Sequence, residues 1–317
     1  MNRFLRVAAC GLLLATSVAG CDAHRALMGF KNPVIAIANP AEPVSLPFRE
    51  GPGGLVLLQA RINGSTDAEF ILDTGAPVTV LLENARTRAL QVDMSKARRL
   101  GPEGDPAVPF GVIEPGFSID FGGVSLSGLT AVVIPQASLP CQERFGAVDF
   151  QGVIGADLFR HFVVEIDHAA KQVRLFDPRS WRPGHGTVLP LDMNDGHIYT
   201  NLSLDRDGSR VGLRMHIDTG RNTALSLNAG SHPALVMPAS GPRKTACYVQ
   251  GIVESIRGAP VDLVLDTLVV KNVDPYYQRE DRVRLDERNG SIGIGLLKRY
   301  VVTFDYAGKR MLLRERA

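Results

Sequence analysis

The chain has 317 residues, 45% apolar and 21% charged, which is globular rather than disordered and leaves room for two cores of ordinary size. Its formal charge is +2, and without Arg3 and Arg6 at the N-terminus 33 basic side chains stand against 33 acidic ones. No basic stripe stands out, which argues against a nucleic-acid partner.

The first 21 residues read MNRFLRVAACGLLLATSVAGC. Two arginines precede an apolar stretch, Leu12 to Ala19, that is too short to span a bilayer, so residues 1–20 read as a signal peptide. Val18-Ala19-Gly20-Cys21 resembles the lipobox of bacterial lipoproteins. That resemblance implies cleavage before Cys21 and lipid on its sulfur, a membrane anchor without a transmembrane helix. Asp22 resembles the inner-membrane retention signal of enterobacterial lipoproteins. The expected location is the bacterial cell envelope, facing the periplasm; the alternative is an ordinary signal peptide with a chance cysteine. Processing removes Cys10 and consumes Cys21, leaving Cys141 and Cys247, either paired across the two halves of the chain or free and buried.

Residues 21–48 are rich in Ala, Pro and Asn and read as a tether with one edge strand. GLVLLQARING is a strand ending on a hairpin signal at Asn63-Gly64. DAEFILD and PVTVLL are strand-like, and Glu83 to Leu90 is a candidate short helix. GPEGDPAVPFGVIEPG is dense in Gly and Pro and reads as a mobile lid. GFSIDFGGVSLSGLTAVVIP offers two or three short strands. A second short helix is expected from Leu158 to His161, and VVEIDHAAKQVRLFDP reads as a hairpin turned at Ala169-Ala170. A Pro- and Gly-rich stretch at residues 176–187 marks a boundary. So many short strands predict an all-β fold.

The pattern occurs twice. AEFILDTGAPVTVLL contains Asp73-Thr74-Gly75, and LRMHIDTGRNTALSL contains Asp218-Thr219-Gly220, 145 residues on. GVIGADLFRHFVVEIDHAAKQVRLF from Gly152 matches GSIGIGLLKRYVVTFDYAGKRMLLR from Gly290 without gaps. Each copy runs strand, Asp-Thr-Gly, long variable stretch, Ile-Gly and closing hairpin. The chain reads as an internal duplication, residues 49–180 and 187–317.

Two halves with this order resemble the pepsin-like and retropepsin-like aspartic proteases, over nearly the whole chain from about residue 50. The resemblance implies a two-lobed, all-β acid-protease fold. It implies that Asp73 and Asp218 meet as a catalytic pair sharing one proton, since like charges a few ångströms apart resist double ionisation. Two carboxylates holding a single proton are the established hallmark of this enzyme class. Thr74 and Thr219 would brace the loops, Gly75 and Gly220 permit the turns, and Ile154-Gly155 and Ile292-Gly293 pass behind them. The implied activity is endopeptidase hydrolysis of a peptide or protein, with no cofactor or metal, in a chain expected to be monomeric.

Some residues depart from the family pattern. Arg221 follows the second motif, where a small residue or a hydroxyl is usual; it would disturb the shared proton, point outward or bind a substrate carboxylate. His216 replaces the apolar residue of the first copy and reads as a satisfied neighbour. The lid has no tyrosine, so Phe110 is the aromatic left to cap substrate. Arg221 favours a rival reading, a non-catalytic descendant that binds peptides or proteins; a purely structural envelope lipoprotein is a third. The remaining motifs are poor: HFVVEIDH lacks zinc-helix spacing, and IGIGLL lacks the glycine that opens a dinucleotide-binding helix.

Overall fold

A computed structural model describes residues 33–39, 42–100, 110–139, 149–194, 196–206, 208–248, 251–279 and 288–316. Residues 1–32 (with Cys10, Cys21 and Asp22), residues 101–109 of the expected lid and Cys141 lie outside them.

The fold is all-β. The described strands form one sheet of 14 and one of 10, and the described helices are single turns. In the N-terminal half six strands close on themselves. Val56–Ile62, Thr66–Leu72, Gly152–Ile154, Val80–Glu83, Val124–Pro135 and Phe110–Asp120 follow in hydrogen-bonded order. Ile62 opposite Ile119 then closes the ring. Alternation along Val56–Ile62 explains its placement, since Ile62, Ala60, Leu58 and Val56 face the core and Gln59 and Arg61 look out. The hairpin at Asn63-Gly64 forms as expected, with both residues at positive φ. The C-terminal half arranges Ser209–Asp218, Gly290–Gly293, Leu225–Asn228, Pro275–Gln278, Gly251–Arg257 and Arg243–Tyr248 in the corresponding order.

A run of six strands joins the halves: Thr187–Pro190, Arg310–Glu315, Tyr300–Asp305, Val163–Asp167, Gln172–Phe176 and Val44–Glu50. At its centre the closing hairpins of the two halves pair antiparallel, with Val164 opposite Phe304 and Ile166 opposite Val302. Val164, Phe304 and their neighbours are buried, so this joint is part of the apolar core.

Four local expectations need correction. The tether, expected to hold one edge strand, contains two, Val34–Ile37 and Val44–Glu50. Each finds a partner, Val124–Pro135 for the first and Gln172–Phe176 for the second. The helix expected over Glu83 to Leu90 is one 3-10 turn, Thr87–Leu90. Glu83 belongs to the preceding strand, paired with Pro135, and Gln91 at φ 54° ends the turn. The second short helix spans Ala156–Phe159, two residues earlier than expected. GFSIDFGGVSLSGLTAVVIP, expected to hold two or three short strands, contributes to two, and both are long.

Candidate active site

Each half carries its Asp-Thr-Gly loop on the same scaffold. Thr66–Leu72 runs parallel to Gly152–Ile154, which runs antiparallel to Val80–Glu83. The chain must therefore leave the sheet at Asp73 and return at Val80, and Asp73 N–H donates to Ile154 O at 2.9 Å as it does so. Ser209–Asp218, Gly290–Gly293 and Leu225–Asn228 repeat this arrangement around Asp218. Gly155 and Gly293 pass directly behind the loops. A Cβ on Gly155 would lie 2.1 Å from Ala76 O, and one on Gly293 2.2 Å from Thr223 O, so no side chain fits.

The two loops are tied reciprocally. Thr74 N–H donates to Thr219 Oγ1 and Thr219 N–H to Thr74 Oγ1, both at 3.0 Å. Each hydroxyl then donates across the joint, Thr74 Oγ1 to Ile217 O and Thr219 Oγ1 to Leu72 O, both at 2.8 Å. Both threonines are fully buried, so each bond replaces water that cannot reach these groups.

This clamp brings Asp73 and Asp218 to the same place: a Cβ on Gly75 would lie 2.9 Å from Asp218 Oδ1 and 3.1 Å from Asp73 Oδ1. Asp73 Oδ1 accepts Gly75 N–H at 2.7 Å and Gly220 N–H at 3.0 Å. The need for glycine here is space rather than left-handed backbone, since neither residue has positive φ. A Cβ on Gly220 would lie 2.4 Å from Asp73 Cγ, and one on Gly75 2.9 Å from Asp218 Oδ1.

The two carboxyls differ electrostatically. Burial, reinforced by the Asp218 charge, pushes Asp73 up to about 8 against the pull of the two glycine N–H groups. Burial also opposes ionisation of Asp218, but His216, Arg221 and Arg288 outweigh it and hold that carboxyl below its ordinary range. His216 is itself held down at about 3 by burial, so near neutral pH the positive charges beside Asp218 are the two guanidinium groups.

Arg221 does not point outward. It is buried, with Nε 3.4 Å from Asp218 Oδ2 and Nη1 3.3 Å from both Ser226 Oγ and Gln278 Oε1. His216, expected to be fully satisfied, is not. Its Nδ1 accepts from Arg288 Nη1 at 3.1 Å, which puts the ring proton on Nε2, and that buried nitrogen finds no hydrogen-bond partner among the described residues. Phe110 starts its strand opposite Arg99 and is 46% exposed; nothing places it over the carboxyls. Cys247 is disulfide-bonded. Sequence reasoning did not single out Ser226, Asn228, Gln278 or Arg288, because their place behind Asp218 depends on strand register.

Residues 58–158 match the sequence model of a family described as aspartyl protease. The match runs from the first barrel strand through the turn that follows Gly155, and it supports an aspartic protease-like family and a protease function in general. Comparison with curated proteins finds no significant match.

Proposed function

We propose that the chain is an aspartic-type endopeptidase in which Asp73 and Asp218 activate a water for attack on a peptide carbonyl, in a cleft between the two halves. The observation that supports this reading is the close approach of two carboxyls, both beside Gly75, on loops that the threonine clamp locks together. One carboxylate takes a proton from water as its oxygen bonds to the carbonyl carbon, while the other carboxyl gives its proton to the carbonyl oxygen. The resulting gem-diol collapses. The C–N bond breaks, the amine takes the proton gained by the first carboxyl, and a diol proton returns to the second. Carboxylic acid and amine leave, and the pair is restored with one proton. The extended substrate would be held partly by main-chain hydrogen bonds, as in strand addition.

A peptide-library digest between about pH 3 and pH 8 tests this, since that range runs from below the ordinary carboxylate value up to the raised titration of Asp73. Wild type is expected to cleave, and Asp73→Asn and Asp218→Asn each to abolish cleavage with the fold intact. Full activity in either variant refutes the mechanism. The buried Arg221–Asp218 ion pair favours one other reading, a peptide-binding descendant that cuts nothing. Thermal stabilisation by a statine-type transition-state mimic, without cleavage of the library, would select it.

We also propose, from the N-terminal sequence, that Cys21 carries lipid and holds the catalytic part at the periplasmic face of a membrane. Intact-mass measurement of the membrane fraction checks this, and Cys21→Ser should release the protein.

A further inference from the structure

The two halves share a backbone plan but not a chemistry. Matching ladder partners identify equivalent positions. Leu82 N–H donates to Gln151 O and Asn228 N–H to Asn289 O, both at 2.8 Å. Leu82 stands beside Ile134, and Asn228 beside Gln278. Ala156 N–H donates to Ala76 O, and Ile294 N–H to Arg221 O. Ile71 lies opposite Val153, and His216 opposite Ser291. Val80 lies opposite Val153 and Ser226 opposite Ser291, and Phe150 and Arg288 each precede the acceptors Gln151 and Asn289, so the matched positions on the Asp73 side are Ile71, Ala76, Val80, Leu82, Ile134 and Phe150. Their counterparts around Asp218 are His216, Arg221, Ser226, Asn228, Gln278 and Arg288. At all six positions an apolar side chain in the first half is polar in the second.

The six are connected. Arg221 bridges Asp218, Ser226 and Gln278. Gln278 Nε2 donates to Asn228 Oδ1 at 3.1 Å, and Asn228 Nδ2 to Arg288 O at 3.4 Å. Arg288 donates to His216, whose Nδ1 lies 3.9 Å from Asp218 Oδ2. The chain of contacts begins and ends on Asp218. At 6% exposure the guanidinium of Arg221 is committed to this ring and is not presented to a substrate carboxylate.

We propose that Arg221, anchored by Ser226 and Gln278, is a positioning residue that keeps Asp218 as the ionised, proton-accepting member of the pair and leaves the shared proton on Asp73. This assignment rests on the peptidase reading and completes it, because it says which carboxyl plays which part. The charged and titratable groups around Asp218 are His216 on its own strand, with His197 packed against that ring at 5.2 Å. Arg221 follows on the loop, Arg288 precedes the Gly290–Gly293 strand, and Asp73 faces from the other half. The charge of Lys244 is disfavoured by its burial and by the Arg221 guanidinium. On the Asp73 side the ionisable neighbour is the buried Tyr306, with Arg160 beyond it. The opposite displacements of the two carboxyls agree with the assignment.

The test is kcat/KM against pH on a fluorogenic peptide taken from the library digest, for wild type, Arg221→Gln, Arg221→Lys and Gln278→Ile. A guanidinium beside a carboxylate lowers its titration by about 1–3 pH units, so Arg221→Gln should raise the acid limb by about 1 unit or more. Arg221→Lys should bring it back, and Gln278→Ile, which removes an anchor, should move it the same way by less. Activity that falls evenly at every pH with the limb unmoved would reduce Arg221 to a packing role and overturn the proposal. If Arg221→Gln does not fold, Gln278→Ile carries the same test. If wild type cleaves nothing, the peptidase reading fails by itself, and carboxyl 13C titration of labelled aspartates, assigned with Asp73→Asn and Asp218→Asn, still decides the charge assignment. Asp218 titrating well below Asp73 in wild type, with the gap narrowed in Arg221→Gln, supports it; equal titration in wild type overturns it.

Discussion

Replacing Asp73 by asparagine should stabilise the fold at neutral pH, and the same change at Asp218 should destabilise it. The Asp73 carboxyl titrates near 3.8 in an unfolded chain and is pushed up to about 8 in the fold. Between those values the native state holds a proton that the unfolded state has lost, so stability falls as pH rises. Each pH unit in that window removes about 1.4 kcal/mol, or about 4 kcal/mol by pH 7. The asparagine amide would keep the two glycine N–H groups on its Oδ1 and offer its own N–H to Asp218 in place of the shared proton. The variant should therefore exceed wild type by up to about 4 kcal/mol at pH 7, and the gain should vanish below about pH 4.

Asp218 has the opposite sign. Its carboxyl is held below the ordinary range, so it contributes stability above that range and loses it as pH falls. Asp218→Asn also leaves Arg221 without its carboxylate at a buried site, a loss of about 3 kcal/mol at pH 7. Urea unfolding followed by circular dichroism at about pH 4, 5.5 and 7 measures both differences. Equal signs for the two variants, or an Asp73→Asn gain that does not change with pH, would refute the reasoning.

Three further outcomes follow from the same geometry. Thr219→Val orphans Thr74 N–H and Leu72 C=O, two buried groups at about 1–3 kcal/mol each, and urea midpoints should fall accordingly. Gly220→Ala drives a methyl against the Asp73 carboxyl; peptide cleavage should drop at least about 100-fold while the circular dichroism spectrum is unchanged, since displacing a reacting group by about 1 Å is that costly. Tyr306→Phe removes a buried hydroxyl that has no partner among the described residues, so thermal unfolding should show no loss and a gain of up to about 1 kcal/mol.

The features legible in the sequence are those that depend on neighbours along the chain. The apolar run into Asp73, the hairpin at Asn63-Gly64 and the pairing of Ile-Gly with Asp-Thr-Gly all describe local backbone, and each is found in place. Propensity misled where tertiary pairing overrode it. Residues 83–90 contain good helix formers, yet Glu83 is drawn into a ladder with Pro135, and the Asn84 side chain takes the N–H groups of Arg86 and Thr87. The tether reads as one strand where two form, because Val34–Ile37 finds its partner only in the distant Val124–Pro135, while Val44–Glu50 is held between Val56–Ile62 and the distant Gln172–Phe176. The polar ring behind Asp218 was hidden by one slipped residue. The Asp-Thr-Gly loops correspond at a separation of 145, but Leu82 and Asn228 correspond at 146, so a rigid alignment of the halves sets Asn228 against Glu83 and conceals the contrast.

That contrast bears on why Arg221 is there at all. A buried ion pair is weak evidence of stabilisation, because desolvation consumes most of what attraction supplies, and apolar replacements of such networks are often neutral or favourable. The first half is a natural instance of the replacement. On the same strand plan it buries Ile71, Ala76, Leu82 and Ile134 behind its aspartate, where the second half buries His216, Arg221, Asn228 and Gln278. The fold therefore does not need the polar version. What the apolar version cannot do is hold the charge on Asp218. Both glycine N–H bonds fall on Asp73 and favour its ionised form, so a backbone lined by apolar side chains on both sides would have nothing beside Asp218 to outweigh them. An apolar wall behind one carboxyl and a guanidinium behind the other places the proton before substrate arrives.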